Sequence, residues 1–209
     1  MKPYFIKTPI FLKLIFNKWV WSFSKKEKTI YLTFDDGPTE EITDWTLNQL
    51  YKYNAKATFF CIGKNIKAHP ALFQKISLQG HALGNHTNNH LNGSKTSWQD
   101  YLLNFEKAAP YFYNNDSKLF RPPYGKLSLK QSKKIREKGY KIIMWDVLSA
   151  DFDTTISTKK CLENVIKNTQ NGSIIIFHDS LKASKNLKYV LPKILEYYTA
   201  NGFSFKSIN

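Results

Sequence analysis

The sequence predicts an α/β fold: a parallel sheet curled into a reduced or distorted (β/α) barrel of the TIM-like kind, preceded by an extra N-terminal helical segment. Three observations lead there. From Lys28 onward, β-prone runs alternate with helix-like stretches, the pattern of a parallel sheet with crossover helices. Asp35, His86, Arg121, Asp146 and His178 each follow the apolar part of a different strand candidate, so a barrel would gather them at its C-terminal face. The chain has 209 residues, whereas a full eightfold barrel typically takes about 250. Residues 25–209 are expected to form this one domain, and residues 1–24 an apolar and basic N-terminal segment.

Residues 5–23 are rich in Phe, Ile, Leu and Trp, but Lys13 and Lys18 interrupt the run before it reaches the length of a clean membrane span. No small-x-small site follows, so no clear cleavable signal peptide is read. As a helix, the segment would set Lys7, Lys18 and Lys25 near one face with aromatics opposite, suited to peripheral contact with an anionic membrane. Packing on the domain as an extra helix is the equal alternative. Association with the cell envelope or a membrane is the expected location.

The strand Thr29 to Phe34 comes next, then a helix from Glu40 to Tyr53 with acids in its first turn. Ala57 to Ile62 reads as a strand, Pro70 to Gln79 as a helix that Gly80 can end, and His81 to Asn85 as a short strand. Thr96 and Gln99 are spaced as a capping box for a helix with Trp98, Tyr101, Leu102 and Phe105 on its apolar side. Leu119-Phe120-Arg121 ends at two prolines, and Ser128 with Gln131 opens another helix that Gly139 can close. Lys141 to Trp145 and Ser173 to Phe177 read as buried strands around a helix near Thr158 to Asn168. A helix near Asn186 to Tyr198 and a strand at Phe203 to Phe205 complete the order.

Thirty-one Lys and Arg against sixteen Asp and Glu give a net charge of +15, which favours an anionic partner or simply a lysine-coated surface. Arg121 and Arg136 are the sole arginines. Sequence-specific nucleic-acid binding is therefore disfavoured, because base-edge reading leans on the arginine fork. Cys61 and Cys161 lie far apart and read as buried free thiols. A monomer is expected.

Asp35 and Asp36 sit side by side where the first strand breaks at Gly37-Pro38. Once the strand gives way to a loop, both carboxylates can turn toward one point, where they repel unless a metal, an arginine or both intervene. His86 and His90 stand four apart, a spacing that brings two imidazoles to one side of a helical turn or compact loop. With one carboxylate they would make a two-His-one-carboxylate site that leaves a position for water, suited to zinc or a similar divalent ion. His69 and His81 belong to no such group and read as structural or surface residues.

Taken together, Thr33-Phe34-Asp35-Asp36-Gly37, His86-Thr87-x-x-His90, Arg121-Pro122-Pro123-Tyr124-Gly125, Asp146 through Asp151-Phe152 and Ile175-x-x-His178 resemble the five ordered motifs of the polysaccharide deacetylase family. This is the NodB-homology domain, carbohydrate esterase family four. The resemblance runs from about Thr29 to the C-terminus. It implies a hydrolase that uses a divalent metal, zinc first and cobalt, nickel or manganese as alternatives, to remove acetyl groups from N-acetylated amino sugars of a glycan. An O-acetyl esterase, a small-amide hydrolase and a non-catalytic glycan or membrane-surface binder stand as the other readings.

By the same resemblance, Asp36, His86 and His90 hold the metal, Asp35 is the general base and Arg121 orients it through a bidentate grip. The Tyr124 amide, first after two prolines without an N–H, helps hold the oxyanion. His178 is the general acid, with Asp151 as its partner because it precedes Phe152 as in the family's acid-aromatic pair; Asp146 is the alternative partner. Two departures bear on substrate choice: Phe152 stands where Trp is frequent, and Ile175 where Leu is usual beside the acetyl pocket.

Overall fold

The computed structural model describes residues 4–113 and 118–209. Its strands are β1 (Thr29–Asp35), β2 (Ala57–Cys61), β3 (Ala82–Asn85), β4 (Leu119–Phe120), β5 (Lys141–Ile142), β6 (Val147–Leu148), β7 (Ile174–His178) and β8 (Ser204–Phe205). They pair in the order β5-β4-β3-β2-β1-β7-β6, all parallel, and β8 joins the start of β1. The helices are α1 (Ile10–Ile15), α2 (Ile42–Lys52), α3 (Gly63–Ala68), α4 (Pro70–Leu78), α5 (Trp98–Ala108), α6 (Leu129–Glu137), α7 (Thr158–Ile166) and α8 (Ser184–Ala200).

The alternation in β1 decides which side chains reach the site. Ile30, Leu32 and Phe34 enter the core cluster that holds Leu47 and Leu50 of α2 and Leu187, Val190, Leu191 and Ile194 of α8. Thr33 and Asp35 have the opposite parity and meet Arg121. Phe60, Leu119, Ile143 and Ile174 form a second buried cluster with Ile208. α6 begins with a full capping box between Ser128 and Gln131. The cap of α5 is Ser97, whose hydroxyl accepts from the Asp100 amide; Thr96 instead donates its hydroxyl to the Asn92 carbonyl. The helix therefore starts one residue later than the Thr96 spacing predicts, because adjacent Thr and Ser compete for the same role.

The sheet edges β5 and β6 are covered by the N-terminal segment, where helix is confined to α1 and the remainder consists of turns and irregular chain with isolated bridges at Lys7, Val20 and Ser22. The Ile6 carbonyl accepts from Leu148 N and the Thr8 amide donates to Asp146 O, while Val20 bridges the other edge through Ile142 O and Met144 N. Trp19 and Trp21 pack with Tyr101, Phe105 and Phe120. Gly172 has φ +77°, and a Cβ there would lie 2.4 Å from the Phe23 carbonyl oxygen. A glycine is thus required where the segment crosses the turn before β7.

Asp146 is the residue that latches this segment. It stands at the start of β6, not at the end of a strand running from Lys141 to Trp145, since β5 stops at Ile142. Its buried carboxylate accepts from Lys7 Nζ at 2.6 Å, Lys13 Nζ at 2.5 Å and the Ser173 hydroxyl at 2.6 Å. Burial would raise this carboxyl, but the two lysines and Ser173 hold it below its usual range. Asp146→Asn should cost stability, by less than the roughly 3–5 kcal/mol of a fully buried pair because both ammonium groups keep some contact with water; urea denaturation with an unchanged midpoint would contradict this.

Candidate active site

The C-terminal ends of the strands converge on one cavity of about 500 Å³, whose walls include Asp35, Asp36, His86, His90, Tyr124 and His178. Asp35 is the last residue of β1, and its partner across the β1–β7 register is His178. Asp36 follows with φ +81°, so the chain turns and delivers the second carboxylate to the same cavity as the first. Gly37 must be glycine: a Cβ there would meet Asp179 Oδ2 at 2.1 Å.

Asp35 and Asp36 have different surroundings. Asp35 is buried, and its Oδ1 accepts from Arg121 Nη1 at 2.7 Å. The expected bidentate grip is absent: Arg121 also donates Nη1 to the Thr33 hydroxyl, Nε to the Ile143 carbonyl and Nη2 to the Met144 carbonyl. Two strand-end carbonyls take the donors that a second carboxylate oxygen would have used, and Phe60 lies 4.2 Å beneath the guanidinium carbon. Arg121 therefore fixes one oxygen of Asp35 and leaves Oδ2 toward the cavity, 3.7 Å from His86 Nε2.

Asp36 Oδ1 is buried without a hydrogen-bond partner among the described residues, yet it lies 3.2 Å from His90 Nε2 and 3.8 Å from His86 Nε2. Burial would raise this carboxyl, but the neighbouring imidazoles outweigh it and hold the group well below its usual range. His86 places Nδ1 2.7 Å from the Arg121 carbonyl, an acceptor that requires the proton on Nδ1 and leaves the Nε2 lone pair facing Asp36. Burial lowers this imidazole to about 4, so it is neutral, as a metal ligand must be. One donor atom from each of Asp36, His86 and His90 lies within 4.8 Å of the others. The orphaned carboxylate oxygen, the fixed tautomer and the N,N,O donor set fit a divalent cation.

The His86–His90 spacing is realised in a compact loop, with Thr87 and His90 at φ +63° and +56°. Asn85 Oδ1 accepts from the Thr87 amide, and Asn104 Oδ1 accepts from the amides of Asn88 and Asn89. These side chains hold the loop in place of helical hydrogen bonds. Tyr124 sits at φ +59°, its ring 4.6 Å from that of His90, and its amide makes no hydrogen bond among the described residues.

His178 is paired with Asp151, whose two oxygens take the His178 amide at 2.7 Å and Nδ1 at 2.8 Å. Asp146 is excluded as the partner, since its carboxylate is engaged with Lys7, Lys13 and Ser173. Burial works against the charged imidazole, but Asp151 outweighs it and raises His178 to about 9. Phe152 stands edge-on to the His178 ring at 5.1 Å.

Residues 23–143 match the family model described as polysaccharide deacetylase. The chain belongs to the polysaccharide deacetylase family. It is 31% identical to a peptidoglycan-N-acetylglucosamine deacetylase of Bacillus cereus, with 90% of each chain covered. It is 32% identical to the peptidoglycan-N-acetylmuramic acid deacetylase PdaA of Bacillus subtilis, covering 88% of this chain and 71% of that one. Among solved structures, a peptidoglycan N-acetylglucosamine deacetylase in complex with 4-naphthalen-1-yl-N-oxidanyl-benzamide superposes with a TM-score of 0.85 at 29% identity, over 96% of this chain and 95% of that chain.

Two details of this deacetylase-family site differ from the reading of its motifs. Ile175 does not face the pocket: it belongs to the core behind the sheet, and Ile176, which shares the parity of His178, lines the cavity. The run Ile174-Ile175-Ile176 is buried on both faces, so hydrophobicity alone does not show which member points inward. Asp179 was missed. Fully buried behind the loop, its Oδ1 accepts from the Gly37 amide at 3.1 Å, its Oδ2 from the Thr43 hydroxyl, and its own amide donates to the Asp35 carbonyl. Burial pushes its carboxyl up to about 8. The sequence signal was an acid placed directly after a buried strand, next to a histidine already singled out. Asp179→Ala leaves the Gly37 amide and the Thr43 hydroxyl hydrogen without an acceptor and should cost about 1–3 kcal/mol, with weaker divalent-metal binding by calorimetry as the loop carrying Asp36 loosens; unchanged stability would contradict the clamp.

Proposed function

We propose that this protein is a metal-dependent amidase that removes acetyl groups from N-acetylated amino sugars of peptidoglycan, acting at the cell envelope. The observation that carries the reading is the arrangement of two acid-base pairs, Asp35–Arg121 and His178–Asp151, around one three-residue donor set. The names of the relatives supply the polymer.

Asp36, His86 and His90 would hold the ion, with zinc the first choice for this donor set. When bound, such an ion lowers the pKa of water and polarises the acetyl carbonyl. Asp35 accepts a proton from the attacking water through Oδ2, and Arg121 keeps the carboxylate ionised and oriented. As the carbonyl carbon becomes tetrahedral, the Tyr124 amide donates to its oxygen. His178 then gives its proton to the sugar nitrogen, the C–N bond breaks, and free amine and acetate result. An amine leaves poorly unless protonated, so a histidine held cationic by Asp151 favours amides over O-acetyl esters. The two complete acid-base pairs also favour a catalyst over a non-catalytic binder.

Purified protein should release acetate from peptidoglycan or N-acetylchitooligosaccharides, lose that activity with a chelator and regain it on zinc addition. Metal binding without acetate release from any of these, or from small N-acyl compounds, would count against the reading.

A further inference from the structure

The surface of α1 is inverted. None of its six residues is buried, and Ile10, Phe11, Leu14 and Ile15 are 70%, 52%, 67% and 66% exposed. At 3.6 residues per turn these four side chains occupy an arc of roughly 140°. The one cation of the helix, Lys13, reaches instead to the buried carboxylate of Asp146. A helix on a water-facing surface shows the opposite arrangement, with charge outward and the apolar face packed.

The position of this helix is also defined. Thr8, two residues before α1, donates to the Asp146 carbonyl, and Asp146 donates to Ile174, the first residue of β7. The catalytic end of β7 is His178, four residues and roughly 13 Å farther along the strand. The chain therefore enters α1 at the N-terminal pole of the barrel, opposite the cavity. Exposed Lys25 and Lys26 lie at the same pole: the Lys25 carbonyl accepts from Asn171 Nδ2, and neighbouring Gly172 donates to Thr29 at the start of β1. Exposed Lys18 lies three residues past the end of the helix.

We propose that the outward face of α1 docks on an anionic lipid bilayer, so that the catalytic cavity points away from the membrane. A short apolar insertion flanked by lysines matches the chemistry of headgroups over acyl chains, and the net charge of +15 adds attraction to an anionic surface. A second copy of the chain fits less well, because a six-residue helix spans only about 9 Å and a stable interface takes about 800 Å² from each partner. No helix of the described residues is long and apolar enough to cross a membrane, and the proposed contact is made by the face of α1 alone. The docking does not depend on the proposed deacetylation; only its use in aiming the cavity toward a wall polymer does.

The test is co-sedimentation of the full chain with phosphatidylglycerol vesicles and with phosphatidylcholine vesicles, comparing wild type with the double variant Phe11→Gln, Leu14→Gln. Wild type should bind the anionic vesicles, more weakly as salt rises, and the variant should lose at least about tenfold in affinity with an unchanged thermal midpoint. Absence of wild-type binding, or equal binding by the variant, would overturn the proposal. So would a micromolar dimer in analytical ultracentrifugation that the variant dissociates, since that would assign the face to a second copy. These readouts involve no acetate release, so a failed deacetylase assay and a failed docking assay remain distinguishable.

Discussion

Asp35→Asn is expected to lower the rate of acetate release by about 100-fold to 10,000-fold, the range for loss of a general base, while divalent-metal binding survives. The two adjacent carboxylates predict this contrast. Asp35 spends Oδ1 on Arg121 and keeps Oδ2 at the cavity, whereas Asp36 presents, between two imidazoles, an oxygen with no hydrogen-bond partner among the described residues. Asparagine can still accept from Arg121 Nη1, so it costs less than alanine, although the buried guanidinium loses its counter-charge and the melt should shift downward. Asp35→Ala is a poorer test, because Arg121 is fully buried and an unpaired buried charge costs about 3–5 kcal/mol. Asp36→Asn and His86→Ala should instead lose metal first, and activity as a consequence. Calorimetric titration with zinc, run beside a thermal melt for each variant, separates the two classes. Metal affinity falling as far in Asp35→Asn as in Asp36→Asn would reverse the assignment of the two acids.

Asp35 shows what the sequence made legible. Alternation from Thr29 to Phe34 followed by Asp-Asp-Gly-Pro marks a strand end bearing charge, and a parallel α/β order sends such ends to one face. His86, Arg121 and His178 follow from the same rule, because each stands directly after the last residue of a parallel strand or is that residue, even where, as in β4, the strand has two residues and the Pro-Pro break marks its end. Asp146 breaks it. The strand before it stops at Ile142, the two-residue β6 begins after it, and no periodicity can be read from two residues. Its lysine partners come from a segment more than 130 positions away, a separation that local pattern cannot bridge. The same limit hid the form in which residues 4–23 pack on the domain, though packing itself was one of the two readings. Their mixture of aromatic residues and lysines reads as an amphipathic helix, but hydrogen bonds to two open sheet edges override that local preference. Asp179 was hidden differently, since an acid facing a backbone amide and a threonine looks in sequence like any acid in a turn.

The second large effect concerns pH. Asp151→Asn should move the alkaline limb of the rate profile to lower pH and lower the rate at pH 8 by more than the rate at pH 6. His178 must be protonated to act as general acid, so activity falls as pH rises through its pKa, which Asp151 holds at about 9 against the cost of burial. Asp35 and Asp36 also raise it, but a dication held by Asp36 would offset their charge while leaving the direct contact with Asp151 intact. Removing the Asp151 charge therefore removes the contribution that persists in the working enzyme. Stability carries the same sign. Because the folded value lies above the ordinary 6.5, the pair stabilises the fold fully below about pH 6.5, and this stabilisation is lost as pH rises toward about 9. The variant should accordingly show a flatter decline in thermal midpoint across that window. A merely structural Asp151 would lower the rate equally at every pH and leave the limb where it was. A variant profile that superposes on wild type after scaling would show that Asp151 does not tune the histidine.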